Sequence, residues 1–294
     1  MPWQDALGRL RERMADGVEE VRFLVSAHAS TEELFVLRQL VDGAVGQQGT
    51  AAVTMSWARS EKAQPDTAKF KVHTTDAPNV TGARDLGFAV GAGHEGAPPT
   101  DDLRTAVARG AVKALYVVDP GPAGSIGDVS WIVEARRAGT LPLLVVQAVV
   151  ESDLTQAADV VLPGAAFVEK DALFTNADGR VQAASRAIAP PGEAREDWDI
   201  LVAVARAVGV TLAYQSSNDV RRALAAAYPG TPYAQADQMI FARPVSAETW
   251  LQASNPSERW KWDFMYQDLP PVKGHNVQME GVPLQGVYPL KVVE

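Results

Sequence analysis

Up to about residue 210 the chain alternates short apolar runs with stretches of helical periodicity. Residues 2–15 place Trp3, Leu7, Leu10 and Met14 at i, i+4, i+7 and i+11, one apolar stripe of an amphipathic helix. The run Val21–Val25 reads as a buried strand. Ser30 and Glu33 then have capping-box spacing ahead of Leu34, Leu37 and Val41, and a second strand follows over Ala51–Met55. Residues from about 58 to 99 read as a loop-rich stretch. Thr100, Asp101 and Asp102 form a cap and acidic first turn for a helix that stops at Gly110. Strands are expected at Ala114–Val118, Leu141–Val149 and Ala158–Leu162, with helices at Asp128–Ala138 and Glu151–Ala157 between them.

Apolar strands alternating with helices are the pattern of a doubly wound, mostly parallel α/β sheet covered on both faces. From Ala172 the texture changes. Ala172–Thr175 and Arg180–Ala183 flank Asn176-Ala-Asp-Gly179 and read as a hairpin, with Gly179 taking the positive φ angle. A helix carrying Trp198, Leu201, Ala205 and Val208 on one face ends at Gly209, and another is expected over Asn218–Ala227. The division expected is an α/β domain over residues 1–214, then a helix and an extended, proline- and aromatic-rich tail over 215–294. Trp250, Trp260, Trp262, Phe264 and Tyr266 in that tail are candidate partner-docking residues, since their apolar surface needs a cover.

Composition narrows the chemistry. The chain has 294 residues, enough for one large or two ordinary domains, and no cysteine. Thiolate catalysis, disulfides and cysteine-ligated iron–sulfur clusters are therefore excluded within it. Four scattered histidines (His28, His73, His94, His275) lack zinc-site spacing, and no metal site is expected. A net charge of −9 without a basic cluster argues against nucleic acid. The apolar run Leu141–Val150 is half the length of a bilayer span, so a cytoplasmic location is expected, with any membrane association through a complex.

Two glycine-rich segments are candidate ligand loops. Gly91-x-Gly93-x-x-Gly96 matches the dinucleotide spacing, but Pro98-Pro99 separates it from the next helix. Asp119–Gly127 runs from a strand's C-terminal end towards a helix, where open α/β sheets bind ligands. His28 follows the first strand and reads either as an acid–base group or as a structural histidine. Glu169-Lys170-Asp171 reads as a solvated charge run. No catalytic constellation is visible.

The ordered segments Ala158–Pro163, Glu169-Lys-Asp171, Phe174-Thr-Asn176, Gly179-Arg-Val-Gln182, Pro191–Arg195 and Asp197-Trp198 resemble the molybdopterin oxidoreductase family. Within it the likeness is strongest to the C-terminal portion of the large iron–sulfur subunit, the 75-kDa type, of NADH–quinone oxidoreductase, respiratory complex I. Ser30–Leu40 and Pro78-Asn79 to Gly87 extend it upstream, to about residues 20–210. Two positions depart from the family pattern: Ala172-Leu173 replaces Gly-Thr, and Gly121-Pro122 replaces Asn-Pro.

The resemblance implies a non-catalytic scaffold subunit, split or truncated, of a complex I-like enzyme. It would be partnered by iron–sulfur and flavin subunits that hold the clusters, with no cofactor of its own. The alternative it implies is half of a split molybdenum or tungsten oxidoreductase of the formate dehydrogenase kind, gripping molybdopterin guanine dinucleotide. Asn176, Gly179, Arg180, Gln182 and Gly121 are the candidate vestigial nucleotide contacts. Asn and Gly equally shape a hairpin, and an Arg fork and a Gln amide equally tie it to a sheet or meet a phosphate and a guanine edge. A stand-alone nucleotide-binding module is a third reading, resting on fold analogy.

Overall fold

A computed structural model of the chain describes residues 2–14, 21–46, 49–59, 67, 75–90 and 101–239. Five parallel strands form the central sheet: β1 (Val21–Ser26), β2 (Val53–Ser56), β5 (Ala114–Asp119), β6 (Leu143–Ala148) and β7 (Val160–Pro163). Their order is β2-β1-β5-β6-β7, so the chain leaves β1 towards one edge and leaves its neighbour β5 towards the other. Alternate residues feed two cores. Phe23, Val25, Tyr116, Val118 and Val145 face α1 (Trp3–Met14), α2 (Thr31–Val45), α7 (Asp197–Ala207) and α8 (Ser217–Ala227). Leu24, Leu115, Val117, Leu144 and Val146 face α4 (Asp101–Ala108), α5 (Ser130–Ala138) and α6 (Asp153–Ala157). With both faces covered, near-continuous apolar strands are what burial requires.

The described part of the loop-rich stretch holds short regular elements. β3 (Ala58–Arg59) pairs antiparallel with β4 (Thr75–Asp76), and α3 (Val80–Asp85) follows. α3 is short, with Val80, Thr81, Gly82 and Ala83 all buried, so no polar face marks a period.

The hairpin of β8 (Ala172–Thr175) and β9 (Val181–Ala184) forms as expected, with Gly179 at φ 77°. Among the described residues, no strand pairs with its free edge. Leu173 N–H donates to Glu32 Oε2 at 2.8 Å, and Thr175 N–H donates to Asn79 Oδ1 at 2.8 Å. Two buried side chains thus take the place of a neighbouring strand. Asn79 is held in turn by donating to the Ala29 carbonyl at 2.8 Å. Asn79→Ala leaves the buried Thr175 N–H without an acceptor, and a loss of about 2 kcal/mol is expected. Urea unfolding measures the loss, and faster hydrogen exchange confined to residues 172–176 locates it.

Val220 and Leu224 of α8, with Tyr233 and Ala236 of the following 3-10 segment Pro232–Gln238, belong to the main core. That core therefore runs past the division expected at residue 214. The chain divides instead into Met1–Phe241 and Ala242–Glu294. The helix is held because Arg221 Nε donates to the buried Glu32 carboxylate at 2.6 Å. Trp250, Trp260, Trp262, Phe264 and Tyr266, and the Gly91–Gly96 motif, lie outside the described residues.

Candidate functional site

β1 and β5 are the adjacent strands whose connections diverge, which is where open α/β sheets bind ligands. A cleft of about 540 Å³ lies there. His28 beyond β1, Pro120-Gly121-Pro122 beyond β5 and Asp76-Ala77-Pro78 from β4 onwards form three walls; Phe167, Lys170 and Phe174 form the fourth. The lining is largely apolar and planar. Gly121 is required by close approach, because a Cβ there would sit 2.9 Å from His28 Cγ and collide with Ser125 Oγ.

Under this turn lie polar groups. Ser125 Oγ is 3.4 Å from Asp119 Oδ1, and Ser26 Oγ is 3.4 Å from His28 Nδ1. Burial raises the Asp119 carboxyl to about 6, against the opposing bonds from Gly121 N–H and Ser125. Burial lowers the His28 imidazole from its ordinary value, partly offset by the charge of Asp76.

Lys170 corrects the expectation of a solvated charge run, being 1% exposed. Its ammonium lies 2.6 Å from Glu33 Oε1 and 2.7 Å from Asp197 Oδ2. Asp197 also accepts from Gln147 Nε2 at 2.7 Å, and Gln147 Oε1 accepts from Tyr116 OH at 2.6 Å. Glu33 does double duty, since its Oε2 closes the capping box on Ser30 N–H at 3.0 Å. One ammonium faces two carboxylates in this buried cluster, and burial pushes Glu33 up to about 7. Gln147 sits within an apolar strand run, so sequence periodicity gives no sign of it.

The hairpin residues proposed from sequence have defined places. Asn176 Oδ1 accepts from Asp178 N–H at 3.1 Å and Arg180 N–H at 2.9 Å, shaping the turn. Arg180 and Gln182 are exposed. Of the candidate contacts, Gly121 lines the cleft, whereas Asn176, Gly179, Arg180 and Gln182 do not. Phe174 brings β8 to its wall, and His28 and Asp119 are brought together only by strand adjacency. Among the described residues no group of three His, Cys, Asp or Glu could hold a metal ion, and no helix is long and apolar enough to cross a membrane.

The sequence pattern of the molybdopterin oxidoreductase family matches residues 55–207, more than half of the chain. The chain belongs to the molybdopterin oxidoreductase family. It is 42% identical over 98 residues to the F420-dependent formate dehydrogenase subunit alpha of Methanocaldococcus jannaschii, covering 33% of this chain and 14% of that protein. It is 42% identical over 95 residues to the NADPH-Fe(3+) oxidoreductase subunit alpha of Geobacter sulfurreducens, 32% of this chain and 11% of that protein. A nitrate reductase of Klebsiella oxytoca is 28% identical over 233 residues, 70% of this chain and 26% of the relative. The chain thus spans between about a tenth and a quarter of these relatives' lengths.

A molybdopterin oxidoreductase implies a pterin nucleotide, and the cleft fits one end of it. Phe and Pro walls beside an imidazole suit a flat heterocycle. The pyrophosphate is less well served. Lys170 is the one lysine or arginine in the described lining, and Glu33 and Asp197 already hold it. Proline at 120 and 122 also removes two backbone donors.

Proposed function

We propose that this chain is a pterin-nucleotide-binding part of a molybdenum or tungsten oxidoreductase of the formate dehydrogenase kind. The observation that carries the reading is the apolar switch-point cleft with Gly121 at its rim. The formate dehydrogenase subunits among its relatives support it. In this reading Phe174, Phe167 and the prolines sandwich the nucleobase, and Gly121 lets the base approach the turn. Asn79 and Glu32 keep β8, and hence Phe174, in place. When bound, the cofactor supplies two-electron redox chemistry at its metal. With no cysteine, this chain offers that metal no thiolate, and a cysteine-bearing segment outside these residues supplies the ligand.

The test is co-expression with a cysteine-bearing partner, purification of the complex, and chromatography of the guanine nucleotide released by acid. About one nucleotide per complex is expected. In Gly121→Ala, at least tenfold less is expected, because His28 is pushed into the cleft, while overpacking costs about 1–2 kcal/mol of stability. Guanine nucleotide missing from repeated preparations, or retained in full by the variant, overturns the reading.

One observation favours a second reading, a scaffold role in a complex I-like NADH–quinone oxidoreductase beside iron–sulfur and flavin subunits. Lys170, Asn176 and Asp197, which carry much of the family likeness, are spent on internal bonds. Tagged chain purified from gently solubilised native membranes separates the two. Flavin and proton-pumping subunits in the eluate favour the scaffold, and a molybdenum-bearing chain favours the enzyme part.

A further inference from the structure

The described lining holds no free positive charge where a nucleotide's phosphodiester would meet it, but His28 in one wall and Asp119 beneath the adjoining Pro120-Gly121-Pro122 wall can change charge. The His28 ring rests against Gly121, and Asp119 bonds to Gly121 N–H and Ser125 Oγ. Both residues therefore touch one turn, Pro120-Gly121-Pro122, which forms a cleft wall. Ser26, the last residue of β1, bonds to both side chains from below.

Resting on the nucleotide reading above, we propose that this cleft is gated by protons: uptake at His28 and at Asp119 beneath the Gly121 turn raises the charge on this side of the cleft by two units and admits an anionic phosphodiester. Among the described residues, Asp76, Asp197, Lys170 and Glu33 also act here. Asp76 of β4 faces His28 and favours its protonated form. Asp197 of α7 acts on Asp119 and disfavours its ionised form. Lys170 lines the cleft and is held by Asp197 and by Glu33 of α2; Glu33, raised to about 7, also takes up a proton as pH falls and so adds to the same change. Burial raises the Asp119 carboxyl to about 6 and lowers the His28 imidazole from its ordinary value. With both protons released Asp119 is an anion under the turn and His28 is neutral, so a phosphodiester meets repulsion. With both bound the carboxyl is a neutral donor and the imidazolium an added cation.

The probe is diguanosine pyrophosphate, whose phosphodiester groups do not titrate in this range, and calorimetry with the full chain is the measurement. Affinity is expected to be at least tenfold higher at about pH 5.5 than at about pH 7.5, with net proton uptake seen by comparing buffers of different ionisation enthalpy. Asp119→Asn keeps the bond to Ser125 and is expected to reduce the dependence to about threefold; adding His28→Gln lowers it further, and what remains is carried by Glu33 and is lost on adding Glu33→Gln. Equal wild-type affinity at both pH values, or variants that keep the full slope, overturns the gate and leaves the nucleotide reading standing. Absence of binding at either pH overturns both. Should Asp119→Asn not fold, proton uptake by the wild type decides: uptake supports the gate and none overturns it.

Discussion

Lys170→Met is expected to lower the unfolding free energy by about 3–5 kcal/mol, the cost of removing one partner from a buried ion cluster. The variant keeps most of the side-chain volume, so the loss is electrostatic. Glu33 and Asp197, at 1% and 0% exposure, would be left facing each other without the ammonium between them. Asp197 keeps its bond from Gln147, and Glu33 keeps Ser30 N–H, but neither bond neutralises charge. A loss of this size is a large share of the 5–15 kcal/mol typical of a folded domain. Denaturant unfolding checks it. Lys170→Met combined with Glu33→Gln should recover about half, since one buried charge is then removed with its partner. A single variant that costs less than about 0.5 kcal/mol would show that the cluster is hydrated in solution.

Acid is expected to stabilise this protein over a range where many proteins weaken. Glu33 is raised from 4.5 to about 7 and Asp119 from 3.8 to about 6, so between those values the folded chain binds more protons than the unfolded one. Their contribution is full below the unfolded values and is lost as pH rises through about 6 and then about 7. His28 works in the opposite sense, because its lowered imidazole disfavours the folded state as pH falls below its ordinary value. Two raised carboxyls outweigh one lowered imidazole, and the net loss between about pH 5 and pH 8 is expected to be a few kcal/mol. Unfolding midpoints across that interval test this, and Glu33→Gln should flatten the upper part of the curve. A profile that climbs steadily from pH 5 to pH 8 would reverse the assignment of the buried proton to Glu33.

Both predictions concern residues whose role the linear pattern hides. The parallel sheet was legible because Val21–Val25, Ala114–Val118 and Leu141–Val149 are apolar on both faces and alternate with helical periods. The hairpin was legible because Asn176 and Gly179 carry local turn chemistry that needs only neighbours in sequence. The capping box at Ser30 and Glu33 is local too, and it forms. The second bond of Glu33, to a lysine far along the chain, is not local, and a charge run around Lys170 looks the same whether it faces water or a buried acid.

The site divides along the same line. Gly121 stood out in sequence because a glycine-rich turn leaving a strand is a known place for ligands. His28 and Asp119 have no spacing relation, and only the pairing of β1 with β5 brings them to one turn. Asn79 and Glu32 belong to stretches that carry the family likeness, but their function as a substitute strand edge for β8 exists only once the hairpin has docked.

The order of apolar runs and turn residues by itself determined the α/β class and the hairpin of this protein, because those depend on interactions within about a dozen residues. Tertiary structure alone decided which charges are buried, which helix joins the core and which side chains share the cleft. Those outcomes depend on contacts between residues 27 to 189 positions apart, and on a solvent exclusion that no local pattern records.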